Sequence, residues 1–118
     1  SWRGMIDYLE DTASDKNYDP DANGKVKEAL FYQLALAYGW DFHKNLRKKY
    51  REESAVLSGD ALKMRWFMLT ACQVSGYNLT TFFEKYGFTT PEVPESVYNE
   101  IAALGLPNPP VEPSTITD

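Results

Sequence analysis

One cysteine and one histidine occur in 118 residues. A lone cysteine excludes any disulfide within the chain and argues neither for nor against secretion. A lone histidine excludes a self-contained site built on two imidazoles. No apolar run approaches the roughly 18 residues of a membrane-spanning helix. No stretch alternates apolar and polar residues for long, so strands are not expected. No internal repeat is present. There is no glycine-rich phosphate loop and no G-x-S-x-G. There is also no H-E-x-x-H, since His43 is followed by Lys44, Asn45, Leu46 and Arg47. No signal peptide opens the chain, and a start at Ser1–Trp2 rather than Met reads as a cut made inside a longer protein.

What is present suffices for a folded domain. Hydrophobic residues make up 43% and aromatics 14%, enough for one core in a chain of single-domain length. The net charge of −5 is uneven. Residues 1–24 carry six acids and two bases, 25–53 seven bases and four acids, and 54–118 seven acids and three bases. An acidic chain is a poor general binder of nucleic acid, because phosphate binding depends on positive charge.

Helical periodicity runs along the chain. Arg3 to about Ala13 reads as a first helix with Met5, Ile6 and Leu9 on one side. Ser14–Gly24 is polar and turn-rich. Lys25–Tyr38 reads as a second helix. Val26, Leu30, Leu34 and Ala37 recur at helical spacing, Phe31 and Tyr38 widen the stripe, and Gly39 stands as a C-terminal cap. Asp41 reads as the N-cap of a third helix, about Phe42 to Glu53, with a narrow stripe of Phe42, Leu46 and Tyr50. Leu57 tucks down the loop Ser54–Gly59. Asp60 reads as the cap of a fourth helix, Ala61 to about Ser75. Its Trp66-Phe67-Met68-Leu69 and Ala71-Cys72 leave little polar face, which marks the central element. Gly76 ends it.

Asn78 reads as the cap of a short fifth helix, Leu79–Tyr86, in which Leu79, Phe82, Phe83 and Tyr86 keep i, i+3, i+4, i+7 spacing. A sixth runs from Pro94 or Glu95 to Leu104, with Val97, Ile101 and Leu104 inward. Leu106–Asp118 holds four of the seven prolines and reads as an extended linker or tail, anticipating a further domain. The expectation is an all-α domain: a compact bundle of five or six short helices packed around the fourth. Residues 1–24 form an N-terminal helix and acidic loop, 25–105 the helical core, and 106–118 the proline-rich tail.

Candidate chemistry is sparse. A nucleophile pair needs Cys72 beside His43, but Cys72 falls in the most apolar helix, where a thiol is inert packing. Asp19-Pro20-Asp21-Ala22-Asn23-Gly24 opens like a calcium loop, with Asp19, Asp21 and Asn23 as alternate ligands. The twelfth position, which should be a bidentate Glu, is Leu30. The simpler reading is a solvated acidic turn capping the second helix. Lys44, Arg47, Lys48, Lys49 and Arg51 form a basic patch that suits an anionic partner or a solvated face, the latter being the commoner fate of a charge run. Trp40, Trp66 and Tyr77 could stack on sugar rings. At helical spacing, and beside Gly39 and Gly76, they suit core and corners better. Asn78-Leu79-Thr80 matches a glycosylation sequon, yet its Asn fits a helix cap.

Two stretches are informative together. Leu30-Phe31-Tyr32-Gln33-Leu34 leads to Tyr38-Gly39-Trp40-Asp41-Phe42, Leu46 and Tyr50-Arg51. Later comes Ser75-Gly76-Tyr77-Asn78-Leu79-Thr80-Thr81-Phe82-Phe83-Glu84-Lys85-Tyr86-Gly87-Phe88, and Leu104-Gly105-Leu106-Pro107 closes the region. Residues 25–107 resemble the helical region C-terminal to the zinc site in enhancin-like metallopeptidases (family sixty of the metallopeptidases), whose relatives include bacterial mucin-degrading enzymes. The resemblance implies a secreted or cell-surface parent that cuts glycoproteins with zinc held by H-E-x-x-H and a downstream Glu. None of that motif lies in these residues, so the resemblance transfers no catalytic, cofactor-binding or metal residue. It implies a non-catalytic helical subdomain, inactive alone, that supports the parent's cleft. The partners it implies are the rest of that chain and a mucin-like glycoprotein. The alternative is a stand-alone glycan- or protein-binding helical module.

Overall fold

The computed structural model describes residues 6, 9, 10, 29–89 and 93–116. Ile6, Leu9 and Glu10 are helical, with Ile6 and Leu9 buried in the core. Met5, Val26 and the Asp19–Asn23 loop lie outside the described residues.

The chain forms α1 (Ala29–Tyr38), α2 (Trp40–Glu53), a 3-10 turn at Ser54–Val56, α3 (Asp60–Ser75), α4 (Thr80–Lys85), α5 (Glu95–Ala103) and a second 3-10 turn at Pro113–Thr115. No strand occurs among the described residues, and the fold is all-α. No described helix is long and apolar enough to cross a membrane.

α3 is the central element and packs against both α2 and α5. Its buried residues are Met64, Trp66, Phe67, Met68, Thr70, Ala71 and Cys72. At about 100° per residue they span roughly two thirds of the helix circumference, which is why no polar stripe is visible in the sequence. Phe67 meets Phe31 of α1 edge-on at 5.7 Å and Phe83 of α4 at 5.9 Å. Phe83 in turn stacks on Phe88 at 5.6 Å. One aromatic chain thus ties three helices into a single core. Leu57 packs against it, as its loop position predicts.

The corners depend on glycine. Gly39, at φ 85°, is the whole connection between α1 and α2, and its N–H donates to the Ala35 carbonyl at 2.7 Å. Gly76, at φ 82°, ends α3 in the left-handed conformation, its N–H donating to the Cys72 carbonyl at 2.8 Å. Side chains with a Cβ resist these angles.

Several boundaries differ from expectation, for local reasons. Asp41 and Asp60 are not N-caps. Gly39 and Gly59 take those positions without any side-chain cap, and the aspartates fall inside the first turn. There a carboxylate meets the positive end of the helix dipole. Asn78 stands one residue too early to be the N-cap of α4, a position that Leu79 takes without a side-chain cap bond, but its Oδ1 still accepts the N–H of Thr80, the first helical residue, at 3.0 Å. Pro94 is itself the N-cap of α5, in extended conformation, with its carbonyl accepting the Val97 N–H at 3.0 Å. Leu104 does not face inward. It is 36% exposed, because α5 ends at Ala103, while Val97 and Ile101 are buried. In α1, Ala35 is buried and Ala37 only partly so.

The tail is packed rather than extended. Its 3-10 turn lies against α1 and α4, and Pro113 is buried. Nε2 of Gln33 donates to the carbonyls of Ser114 at 2.9 Å and Ile116 at 3.3 Å. The N–H of Asn78 donates to the Pro107 carbonyl at 2.8 Å. Proline excludes helix but not burial, and a polar partner on α1 supplies the docking.

Candidate functional site

His43 and Arg47 lie one turn apart on α2, and both turn inward. With Leu46 and Tyr50 they complete the 43-46-47-50 pattern of a buried helical face. His43 is 0% exposed and Arg47 2%. The Nε2 of His43 lies 2.8 Å from the Phe31 carbonyl. A carbonyl only accepts, so Nε2 carries the proton and the neutral tautomer is fixed. Rings surround the imidazole: Phe42 at 5.5 Å, and Phe31 and Trp40 each at 5.7 Å. Burial pulls its pKa down to about 4, against the opposing pull of the Phe31 carbonyl, and the Arg47 charge lowers it further. The imidazole is therefore neutral at physiological pH and serves to join α1 to α2.

Cys72 is not beside it in function. Its Sγ accepts the Leu79 N–H at 3.4 Å. Burial pushes the thiol up to about 11, so it is no nucleophile at neutral pH. Both groups that carry chemistry in the sequence are committed to packing.

The basic patch is divided. Lys44, Lys48, Lys49 and Arg51 are exposed, but Arg47 belongs to the interior. Lys44 stands 4.0 Å from Asp41 across one turn. Trp66 is buried, with Nε1 donating to Glu53 at 3.0 Å and its ring edge-on to Tyr50 at 5.1 Å, so it is closed to sugar. Tyr77 stacks on Tyr38 at 5.8 Å, and Trp40 lies near Tyr32 at 6.3 Å. Both are partly exposed and staple helix corners.

Among the described residues, two open pockets flank the bundle. One, of about 310 Å³, is lined by Glu10, Tyr50, Arg51, Ser54 and Lys63 among others. Glu10 accepts from the Lys63 ammonium at 2.7 Å and from the Tyr50 hydroxyl at 3.1 Å. Burial first, and then the Glu10 charge, push Tyr50 up to about 12. The other, of about 300 Å³, lies between Tyr38, Tyr77, Pro109, Pro110, Val111 and Ile116. Sequence reasoning found neither pocket, because each joins residues far apart in the chain.

The zinc implied by the sequence resemblance finds no ligand set among the described residues. No group of three or more His, Cys, Asp and Glu able to hold a metal occurs among the described residues. His43 Nε2 is committed as a donor.

No curated protein and no solved structure matches the chain. The family described as Peptidase M60, enhancin and enhancin-like matches residues 2–87. The match starts before the stretch that carries the resemblance and takes in the acidic loop. It stops before α5 and the Leu104–Pro107 run. It spans well over half of the chain, including the α1–α2 corner with its His43 bond and the Gly76–Asn78 corner, and so the chain belongs to the enhancin and enhancin-like M60 peptidases.

Proposed function

We propose that these residues form a non-catalytic helical subdomain of a zinc peptidase of this family, buttressing an active-site cleft for mucin-like glycoproteins at the cell surface or outside the cell. The burial of His43, with Nε2 held by the Phe31 carbonyl, carries this reading. The one imidazole available for acid–base or metal chemistry is spent on joining two helices. The zinc motif then belongs to other parts of the parent chain, and the corners at Gly39 and Gly76 set the shape of a supporting wall.

The test is direct. The purified 118-residue chain is incubated with mucin, with and without a chelator. No cleavage in either case is expected. Cleavage that the chelator abolishes refutes the non-catalytic role. The parent sequence must also supply an H-E-x-x-H with a downstream Glu; its absence removes the peptidase role.

One observation favours a second reading, a glycan- or protein-binding module. Trp40, Lys44, Lys48 and Arg51 follow i, i+4, i+8, i+11 spacing and so share one face of α2. Each keeps some exposure. Glycan-array binding that is lost on Lys48→Glu and on Trp40→Ala supports that module. No binding by the wild-type chain removes it.

A further inference from the structure

The C-terminal segment returns to the bundle along one line. It is held at Pro107 by Asn78, at Pro113 by burial, and at Ser114 and Ile116 by Gln33. Two polar atoms on this line are out of place. The Tyr38 hydroxyl and Oε1 of Glu112 are buried, and neither has a hydrogen-bond partner among the described residues. Each alone is a net cost to the fold. One can donate and the other can only accept, so together they are complementary.

The neighbouring groups are already committed. Oε2 of Glu112 accepts the Ser114 N–H at 2.7 Å and also the Ser114 hydroxyl. Tyr86 also lies within reach of the Glu112 charge, but its hydroxyl donates to Oε1 of Gln33. Tyr38 lies within reach of the same charge. Burial first, then Tyr77 and Glu112, push its pKa up to about 12, which keeps the hydroxyl protonated as a donor. By elimination among these groups, Tyr38 is the donor left for Oε1.

We propose that the Tyr38 hydroxyl and Glu112 Oε1 are joined through one water, and that this bond latches residues 107–116 as a strap across the aromatic wall of Tyr38 and Tyr77. A buried water needs at least two polar partners, and the pair provides two. When Glu112 stops accepting, the strap loosens and the face of Leu36, Ala37, Tyr38 and Tyr77 beneath it opens. The pocket of about 300 Å³ at that place is the seam between strap and wall. Val111 at its rim is 58% exposed, so the segment is held at points rather than sealed.

Native-state amide exchange on the 118-residue chain tests this at Asn78 and Ile116. Tyr38→Phe is expected to accelerate exchange there by about tenfold, the scale of one buried hydrogen bond. Phe83 and Phe88 amides in the core should keep their rates, which separates strap opening from unfolding. In a Glu112→Ala background, Tyr38→Phe is expected to add nothing, because the bond is already gone. Tyr86→Phe, which removes the separate bond to Gln33, should keep its effect in that background and shows that the strap is still docked. Equal effects of Tyr38→Phe in both backgrounds overturn the proposal. So does loss of both tyrosine effects together in the Glu112→Ala background, or acceleration of core and strap amides in step.

Discussion

The buried imidazole makes stability depend on pH in a defined window. His43 has a folded-state pKa of about 4, against an ordinary value of 6.5. The unfolded chain therefore binds a proton more readily than the folded one. Stability from this group is fully present above pH 6.5 and is lost as pH falls through 4. The shift of roughly 2.5 units, at about 1.36 kcal/mol each, corresponds to a total of about 3 kcal/mol, most of it gone by pH 4. About 2 kcal/mol should already be lost at pH 5. Carboxylates also titrate below pH 5, so the imidazole has to be isolated by difference. His43→Gln keeps an amide N–H to face the Phe31 carbonyl and removes the titration. Urea unfolding of both chains between pH 7 and pH 4 is the assay. The gap between them should shift by about 3 kcal/mol toward the variant as pH falls. Parallel pH curves refute the reasoning. So does an imidazole proton that titrates near 6.5 in the folded chain by NMR.

Two further outcomes follow from the core. Phe67→Ala removes the ring that meets both Phe31 and Phe83. It should cost about 3–5 kcal/mol and lower Tm by more than roughly 10 °C by calorimetry; a loss under about 1 kcal/mol would show that these rings are not the joint between α1, α3 and α4. Cys72 should resist a thiol-specific disulfide reagent at pH 8 in the native chain and react only at the rate of opening. Its thiol is buried and raised to about 11, so rapid native labelling contradicts the packing of α3.

The helices were legible because their apolar residues dominate. Phe31, Leu34, Phe67, Phe82 and Phe83 are all fully buried, on the faces their spacing assigns. The polar interior was not legible. Counting apolar residues alone gave α2 a narrow stripe, whereas His43 and Arg47 widen it. The 43-46-47-50 spacing was visible, but only the assumption that charge faces water kept Arg47 outside. Asp41 and Asp60 misled in another way: they are good capping residues standing one or two positions too late, behind glycines whose positive φ had already turned the chain. The tail failed for lack of local signal. Its docking depends on Gln33 more than 80 positions away, which no window of neighbouring residues can register. The family, by contrast, was legible, because Leu30–Phe42 and Ser75–Tyr86 are corner-forming motifs and lie inside the stretch that matches it.

The single-residue join at Gly39 also sets what lengths of chain are allowed. α1 and α2 meet with no slack, and the Phe31–His43 bond spans that join. One residue inserted beside Gly39 rotates α2 by about 100° about its own axis. His43, Arg47 and Tyr50 then leave the core while Asn45 and Lys49 enter it. An insertion of the same size in the loop after α2 is absorbed there without turning either helix. Deletions and insertions should therefore be rejected at 38–40 and accepted at 55–59, which makes spacing at this elbow as much a specification of the fold as the identity of any side chain.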